Sequence, residues 1–174
     1  MQGLVHVYCG DGKGKTTAAL GLGLRACGCG KRVLLAQFLK GNTSCELTAL
    51  KKLEHFKALP SPDFMKFTFQ MSPQEREETA KLCTAQLEAA VTEAAEGDYD
   101  LLILDEALGA AECGLLPDAR LLDAIKNKPQ KLELVLTGRS PNPEVLELAD
   151  YISEVKKIRH PYDRNIPARR GIEF

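Results

Sequence analysis

No sign of charge prevails in this chain: 23 Lys and Arg face 24 Asp and Glu, for a formal net charge of -1. So close a balance gives no global electrostatic case for nucleic acid or a membrane as partner. Long hydrophobic runs are missing too. Stretches 101–104 and 132–136 are far shorter than a membrane span, and the N-terminus carries no basic segment followed by an apolar stretch and a cleavage site. A soluble, cytoplasmic protein is expected. Metal-ligand spacing is also lacking. Of the six cysteines, Cys27 and Cys29 are separated by one residue rather than two, and His6, His55 and His160 all lie away from a cysteine pair, which argues against a structural zinc. With no secretory signal, the scattered cysteines read as reduced thiols rather than a disulfide framework. Internal repeats and low-complexity segments are absent, and 174 residues make one domain, 1–174, large enough for a real core.

What the chain does have is concentrated first in Gly10-Asp11-Gly12-Lys13-Gly14-Lys15-Thr16-Thr17. A β-rich run over 4–9 precedes this stretch, and residues 16–26 follow it with Ala and Leu at helical spacing. The stretch therefore opens a helix, where unpaired backbone N–H groups and the helix dipole favour an anion. Gly12 and Gly14 allow a tight turn and close backbone approach to phosphate oxygens. Lys15 reaches the phosphates as a point charge, and the Thr16 hydroxyl suits magnesium. The match to G-x-x-x-x-G-K-[ST] is incomplete, because the first glycine of that pattern falls on Cys9.

The first helix is predicted to end near Gly28 or Gly30, ahead of a strand over 33–38, which makes a βαβ unit. Arg25, about three turns after Gly14, either faces solvent or curls back to the phosphates. Signals weaken over 39–71: Lys40-Gly41-Asn42 reads as a turn, 46–56 has helical spacing, and Pro60-Ser61-Pro62 interrupts the chain. A capping-box spacing at Ser72-Pro73-Gln74-Glu75 predicts a long helix over 73–96 that stops at Gly97. The apolar strand 101–104 then runs into Asp105 and Glu106, a Walker-B-like signal. Its unbroken apolar run suits a parallel sheet covered on both faces, whose carboxyl edge is where open α/β sheets bind ligands, and either carboxylate can bind magnesium directly or through water. Beyond it come a short helix to 113, another over 117–127, and a strand over 132–137 that leads into Gly138 and Arg139. Arg139 meets phosphate or another anion there, or is an ordinary surface arginine. A helix over 143–149, a half-exposed strand over 151–158 and an irregular tail complete the chain. The tail's arginines read as a solvated end rather than an anion site.

Taken in order, the phosphate loop, Gln37-Phe38-Leu39-Lys40-Gly41, Leu104-Asp105-Glu106, Thr137-Gly138-Arg139, Ala149-Asp150, His160-Pro161 and Ala168-Arg169-Arg170-Gly171-Ile172-Glu173-Phe174 resemble the P-loop ATP:corrinoid adenosyltransferases over nearly the whole chain. The resemblance implies a RecA-like P-loop NTPase fold, α/β, with a mostly parallel sheet flanked by helices. It also implies a homodimer, a flavoprotein as reductant, and transfer of the 5′-deoxyadenosyl group of ATP to the Co(I) of a corrinoid. In that family ATP lies reversed in the loop relative to hydrolytic P-loop enzymes. Carried over by matching position, Gly10, Asp11, Gly12, Lys13, Gly14, Lys15, Thr16, Thr17 and Arg25 would bind triphosphate, with Lys13 and Lys15 stabilising it as leaving group. Thr16 with Asp105 or Glu106 would hold Mg2+, and Phe67 and Phe69 would lie beneath the corrin ring. Two features depart from the family pattern: the first strand starts almost at Met1 where many relatives carry an N-terminal arm, and the chain has no tryptophan for the segment at 67–69. The rival readings are a plain ATPase in which Glu106 orients water and a non-catalytic nucleotide-dependent switch.

Overall fold

A computed structural model describes residues 2–41, 44–62 and 68–173, with position 69 described by its backbone alone. The apolar runs become the strands β1 (Val5–Cys9), β2 (Val33–Gln37), β4 (Leu101–Asp105) and β5 (Glu133–Thr137), joined at the edges by β3 (Phe56–Ala58) and β6 (Tyr151–Glu154). They form a 6-stranded sheet in the order β3-β2-β4-β5-β1-β6, and every neighbouring pair is parallel. β5 thus lies between the strand that enters the glycine-rich loop and the strand that ends in the carboxylates, as expected for a RecA-like sheet.

Successive side chains of a strand point to opposite faces, so a strand covered on both sides has to be apolar throughout. β2 and β4 meet that demand with every residue buried. On one face Val7, Leu34, Ala36, Leu102, Leu104, Leu134 and Leu136 pack with Cys83, Leu87 and Ala90 of α3 (Pro73–Glu96) and Leu121 and Ile125 of α5 (Asp118–Lys126). On the other, Val33, Leu35, Leu101, Ile103 and Val135 pack with Ala19 of α1 (Lys15–Gly28) and with Leu47 and Leu50 of α2 (Cys45–Leu50). The capping box that predicts α3 is formed: the Glu75 N–H donates to Ser72 Oγ at 3.3 Å, and the Ser72 N–H donates to Glu75 Oε2 at 2.7 Å.

Two expectations need correction. The helix predicted over 46–56 stops at Leu50, and Phe56 opens β3 instead, pairing in parallel with Val33 of β2. The reason is tertiary: Phe56 buries its ring in the second core cluster, and helical spacing over so short a segment cannot compete with that. The strand predicted over 151–158 ends at Glu154, and all of its residues are exposed because it is the sheet's edge beside β1.

Register fixes where the chemistry falls. Gln37 at the end of β2 is opposite Asp105 at the end of β4, and Tyr8 near the end of β1 is opposite Thr137 at the end of β5. Every strand ending that the sequence marks as polar therefore meets at one carboxyl edge, completed by α4 (Ala107–Glu112) after β4 and α6 (Pro143–Glu147) after β5.

Candidate functional site

The loop between β1 and α1 takes its shape from glycine. Gly14, at φ 122°, caps α1 without any side-chain acceptor, and α1 has no acidic residue in its first turn. The first N–H groups of the helix are left for an outside anion. Gly10 has a second reason to lack a side chain: at φ 103° a Cβ there would come within 2.5 Å of the Val155 carbonyl oxygen. The segment after β6 thus packs directly on the loop, and the Gly12 N–H donates to that same carbonyl at 2.8 Å.

Lys15 is only 8% exposed, and its Nζ donates to the carbonyls of Gly10 at 2.7 Å and Gly12 at 2.9 Å. The loop is wound around its own ammonium. One residue on, Thr16 Oγ1 donates to Asp105 Oδ1 at 2.9 Å. Asp105 is fully buried, and its charge is matched by donors on both oxygens: Thr137 Oγ1 at 2.7 Å also serves Oδ1, while Gln37 Nε2 at 3.1 Å and Lys40 Nζ at 2.8 Å serve Oδ2. Such a set satisfies the rule that a buried charge is tolerated only when paired and hydrogen-bonded. Lys40 Nζ also donates to Thr16 Oγ1 at 3.0 Å, so one ammonium bridges the threonine and the aspartate.

Glu106 follows Asp105 with a left-handed backbone, at φ 60°, and its N–H donates to Thr137 Oγ1 at 2.8 Å. A non-glycine residue in that region costs about 1–3 kcal/mol and persists where its surroundings enforce it. Burial, then the neighbouring Asp105 charge, pushes the Glu106 carboxyl up from its ordinary range, against the pull of Lys40, Lys15 and Arg139.

The other half of the loop faces outward. Lys13 is exposed, and its Nζ donates to Glu173 Oε1 at 3.0 Å. Glu173 in turn accepts from Arg169 through Nε at 3.2 Å, Nη2 at 3.1 Å and the backbone N–H at 2.8 Å. The Arg169 side-chain and backbone donors, followed by Lys13, hold the Glu173 carboxyl down at about 2. Asp11 accepts from the Lys157 N–H at 2.9 Å, and that bond heads the causes that lower its pKa. The chain's last segment is thereby clasped to the loop.

The sequence-predicted residues are thus mostly brought together. Gly10 to Thr17, Asp105 and Glu106 share one edge, and the exposed Arg139 stands beside them, its backbone carbonyl accepting from the Gly10 N–H at 2.9 Å. Arg25 stands apart from them: it is exposed in the last turn of α1, about 15 Å of helix rise from Lys15, and, against the larger rise from burial, its charge pulls down the pKa of the Tyr8 hydroxyl. Phe67 lies outside the described residues, and Phe69 is placed only by its backbone in a short 3-10 turn over Thr68–Gln70. Sequence reasoning missed Lys40, Gln37 and Glu173 as site residues. The available signal for the first two was position alone: both sit at the carboxyl end of a buried strand, on the ligand edge.

For a divalent cation the donor set fits magnesium. Thr16 Oγ1 and the Asp105 carboxylate are hard oxygen donors side by side, and a cationic group of this chain already lies against both. Among the described residues no cluster of three or more His, Cys, Asp or Glu could hold a metal by itself. Magnesium suits such a site, since it keeps several waters and takes few protein ligands beside phosphate.

The chain matches the family described as ATP:corrinoid adenosyltransferase BtuR/CobO/CobP over residues 1–174. It is 32% identical to the corrinoid adenosyltransferase of Escherichia coli K12 over 99% of this chain and 86% of that protein. It is 31% identical to corrinoid adenosyltransferase CobA of Salmonella typhimurium LT2, again over 99% and 86%. The corrinoid adenosyltransferase of Pseudomonas aeruginosa is 32% identical over 99% of this chain and 84% of its own length. Among solved structures, Thermomonospora curvata EccC (ATPases 2 and 3) in complex with a signal sequence peptide aligns at a TM-score of 0.47 and 17% identity, covering 95% of this chain and 34% of that one.

Proposed function

The chain belongs to the ATP:corrinoid adenosyltransferase family, and from that membership we infer that it transfers the 5′-deoxyadenosyl group of ATP to the Co(I) centre of a corrinoid, releasing triphosphate. Co(I) supplies the electron pair that forms the Co–C bond at the ribose C5′. The C5′–O bond breaks, and triphosphate leaves with its electrons. The nucleophile belongs to the substrate, so the protein has to align two reactants and stabilise a polyanionic leaving group. Neither a plain ATPase using Glu106 nor a non-catalytic switch is favoured by this membership.

The observation that carries the residue roles is the convergence of Lys15, Thr16 and Asp105 at the carboxyl edge. The loop from Gly10 to Thr17 receives the triphosphate, on the N–H groups at the start of α1, with Lys15 from within the loop and Lys13 from its rim. Arg139 adds positive charge on the side of β5. Thr16 and Asp105, with Glu106 behind them, would hold Mg2+, which neutralises developing charge on the departing phosphates when bound. Phe67 and Phe69 are assigned to the lower face of the corrin ring, where an apolar surface excludes an axial ligand and eases reduction to Co(I).

We further assign residues 1–174 to one domain, since a single sheet takes strands from Val5 to Glu154. The homodimer is supported by large apolar side chains left exposed late in the chain, Tyr151, Ile152, Ile158, Tyr162 and Ile172. Tyr151 and Ile152 lie on β6 itself, an edge strand of the kind that natural sheets cover. A flavoprotein is proposed as the electron donor. Among the described residues no helix is long and apolar enough to cross a membrane. The free cysteines accord with a reducing cytoplasm.

Anaerobic incubation with ATP, magnesium and chemically reduced cobalamin tests the activity. The absorbance change of Co–C bond formation is expected, and its absence with folded, ATP-binding protein would refute the assignment.

A further inference from the structure

Lys40 stands where two cations cannot. Its Nζ lies 3.0 Å from Thr16 Oγ1 and 2.8 Å from Asp105 Oδ2, the oxygens assigned above to magnesium. The side chain is 29% exposed, whereas the aspartate it serves is fully buried, so the ammonium enters the seat from the solvent side. Its backbone is aimed there by Leu39, which at φ 54° turns the chain sharply at the end of β2 while packing against the core. A leucine in that conformation is strained, and the strain persists only where the surroundings enforce it.

We propose that Lys40 is an exchangeable placeholder: its ammonium occupies the cation seat between Thr16 and Asp105 until a divalent cation arrives with the nucleotide, then moves onto the nucleotide's phosphate chain as a positioning residue. The inference rests on the magnesium reading given above. Without a cation, the buried Asp105 charge needs an ionic partner, and Lys40 is the one basic side chain among the described residues bonded to it. Once a divalent cation neutralises that carboxylate, like charge repels the ammonium, whose long flexible stem lets it move without moving the strand. The nucleotide's anionic chain, received by the loop that carries Thr16, would offer the displaced ammonium a partner beside the one it left. The exchange couples the two ligands: neither cation nor nucleotide alone compensates for displacing Lys40, and together they do.

The test uses Mn2+ as probe, titrated by electron paramagnetic resonance against the whole chain with and without ATP. Lys40→Met keeps the stem and removes the charge. It should bind Mn2+ alone roughly tenfold more tightly than wild type and Mn2+ with ATP roughly tenfold more weakly, the scale of one charge-assisted contact. A residue that only shaped the loop would move both affinities the same way. Thr16→Ala separates the two layers. If it weakens Mn2+ binding with ATP while Lys40→Met leaves Mn2+ binding without ATP unchanged, the placeholder is overturned and the metal seat stands. If neither variant alters Mn2+ binding, the metal reading falls and the placeholder with it. Should Lys40→Met not melt cooperatively, Lys40→Gln serves the same comparison.

Discussion

Two carboxylates show how differently the site's two halves are built. Glu106 sits behind the buried seat, and burial drives its pKa up; Glu173 sits in the tail's clasp on the loop, and Arg169 and Lys13 hold its pKa down at about 2. The lysines repeat the pattern. Lys15 is enclosed by loop carbonyls, whereas Lys13, two residues earlier, is half exposed and held by a glutamate 160 positions away. The inner half is organised by desolvation, where losing one partner strands another group. The outer half is organised by solvated ion pairs, where losing one partner costs little.

The sharpest way to break that contrast is at Lys15. Lys15→Ala removes a cation from the assigned triphosphate site and leaves the Gly10 and Gly12 carbonyls without their donor, so kcat/KM should fall by about 10²–10³, beyond what any loss of stability explains. Steady-state adenosylation kinetics beside a thermal melt check it, and unchanged turnover would remove Lys15 from the mechanism. Asp105→Asn acts on the same half through stability. The amide would set new N–H donors against a seat already made of donors, from Thr16, Thr137, Gln37 and Lys40. A loss of about 3–5 kcal/mol follows, or a melting temperature lower by roughly 10 °C. Calorimetry reads it directly.

How much of this was legible beforehand follows the same division. β1, β2, β4, β5 and α3 declare themselves through local signals, namely apolar runs, glycines and a capping box, and the carboxylates at the end of β4 were visible for the same reason. β3 was not, because it is only Phe56–Ala58 and exists to bury one ring beside β2. Lys40 reads locally as part of a turn; its place depends on a left-handed Leu39 and on an aspartate 65 residues further on. The clasp was invisible for a like reason, since a tail rich in arginine is solvated unless the fold brings a partner to it. Arg25 is assigned by matching position in the family, and in the structure it stands exposed in the last turn of α1, away from the loop along the same helix.

A smaller effect is expected from the proposed corrinoid face. Phe67→Ala and Phe69→Ala should slow adenosylation by roughly tenfold when Co(II) has to be reduced on the enzyme, and by much less when preformed Co(I) is supplied. Equal losses in both regimes, or a melting temperature low enough to explain them, would return these rings to packing. Glu173→Gln should have the least effect on turnover, with a pH signature instead. A carboxyl whose folded pKa is depressed contributes stability that is present above its unfolded value and lost as pH falls through its folded one. The wild-type clasp should therefore loosen as pH falls from the ordinary carboxylate range towards about 2. Hydrogen exchange at residues 169–173 should show that pH dependence in wild type and not in the variant.

The central claim is that this edge expels an intact triphosphate instead of hydrolysing it. Phosphorus NMR of the products at early times, with ATP, magnesium and Co(I) cobalamin under anaerobic conditions, tests it most directly. Triphosphate should appear in a one-to-one ratio with the adenosylated corrinoid, and neither should form without the corrinoid. Diphosphate and phosphate as the main early products, released whether or not the corrinoid is present, would contradict the account.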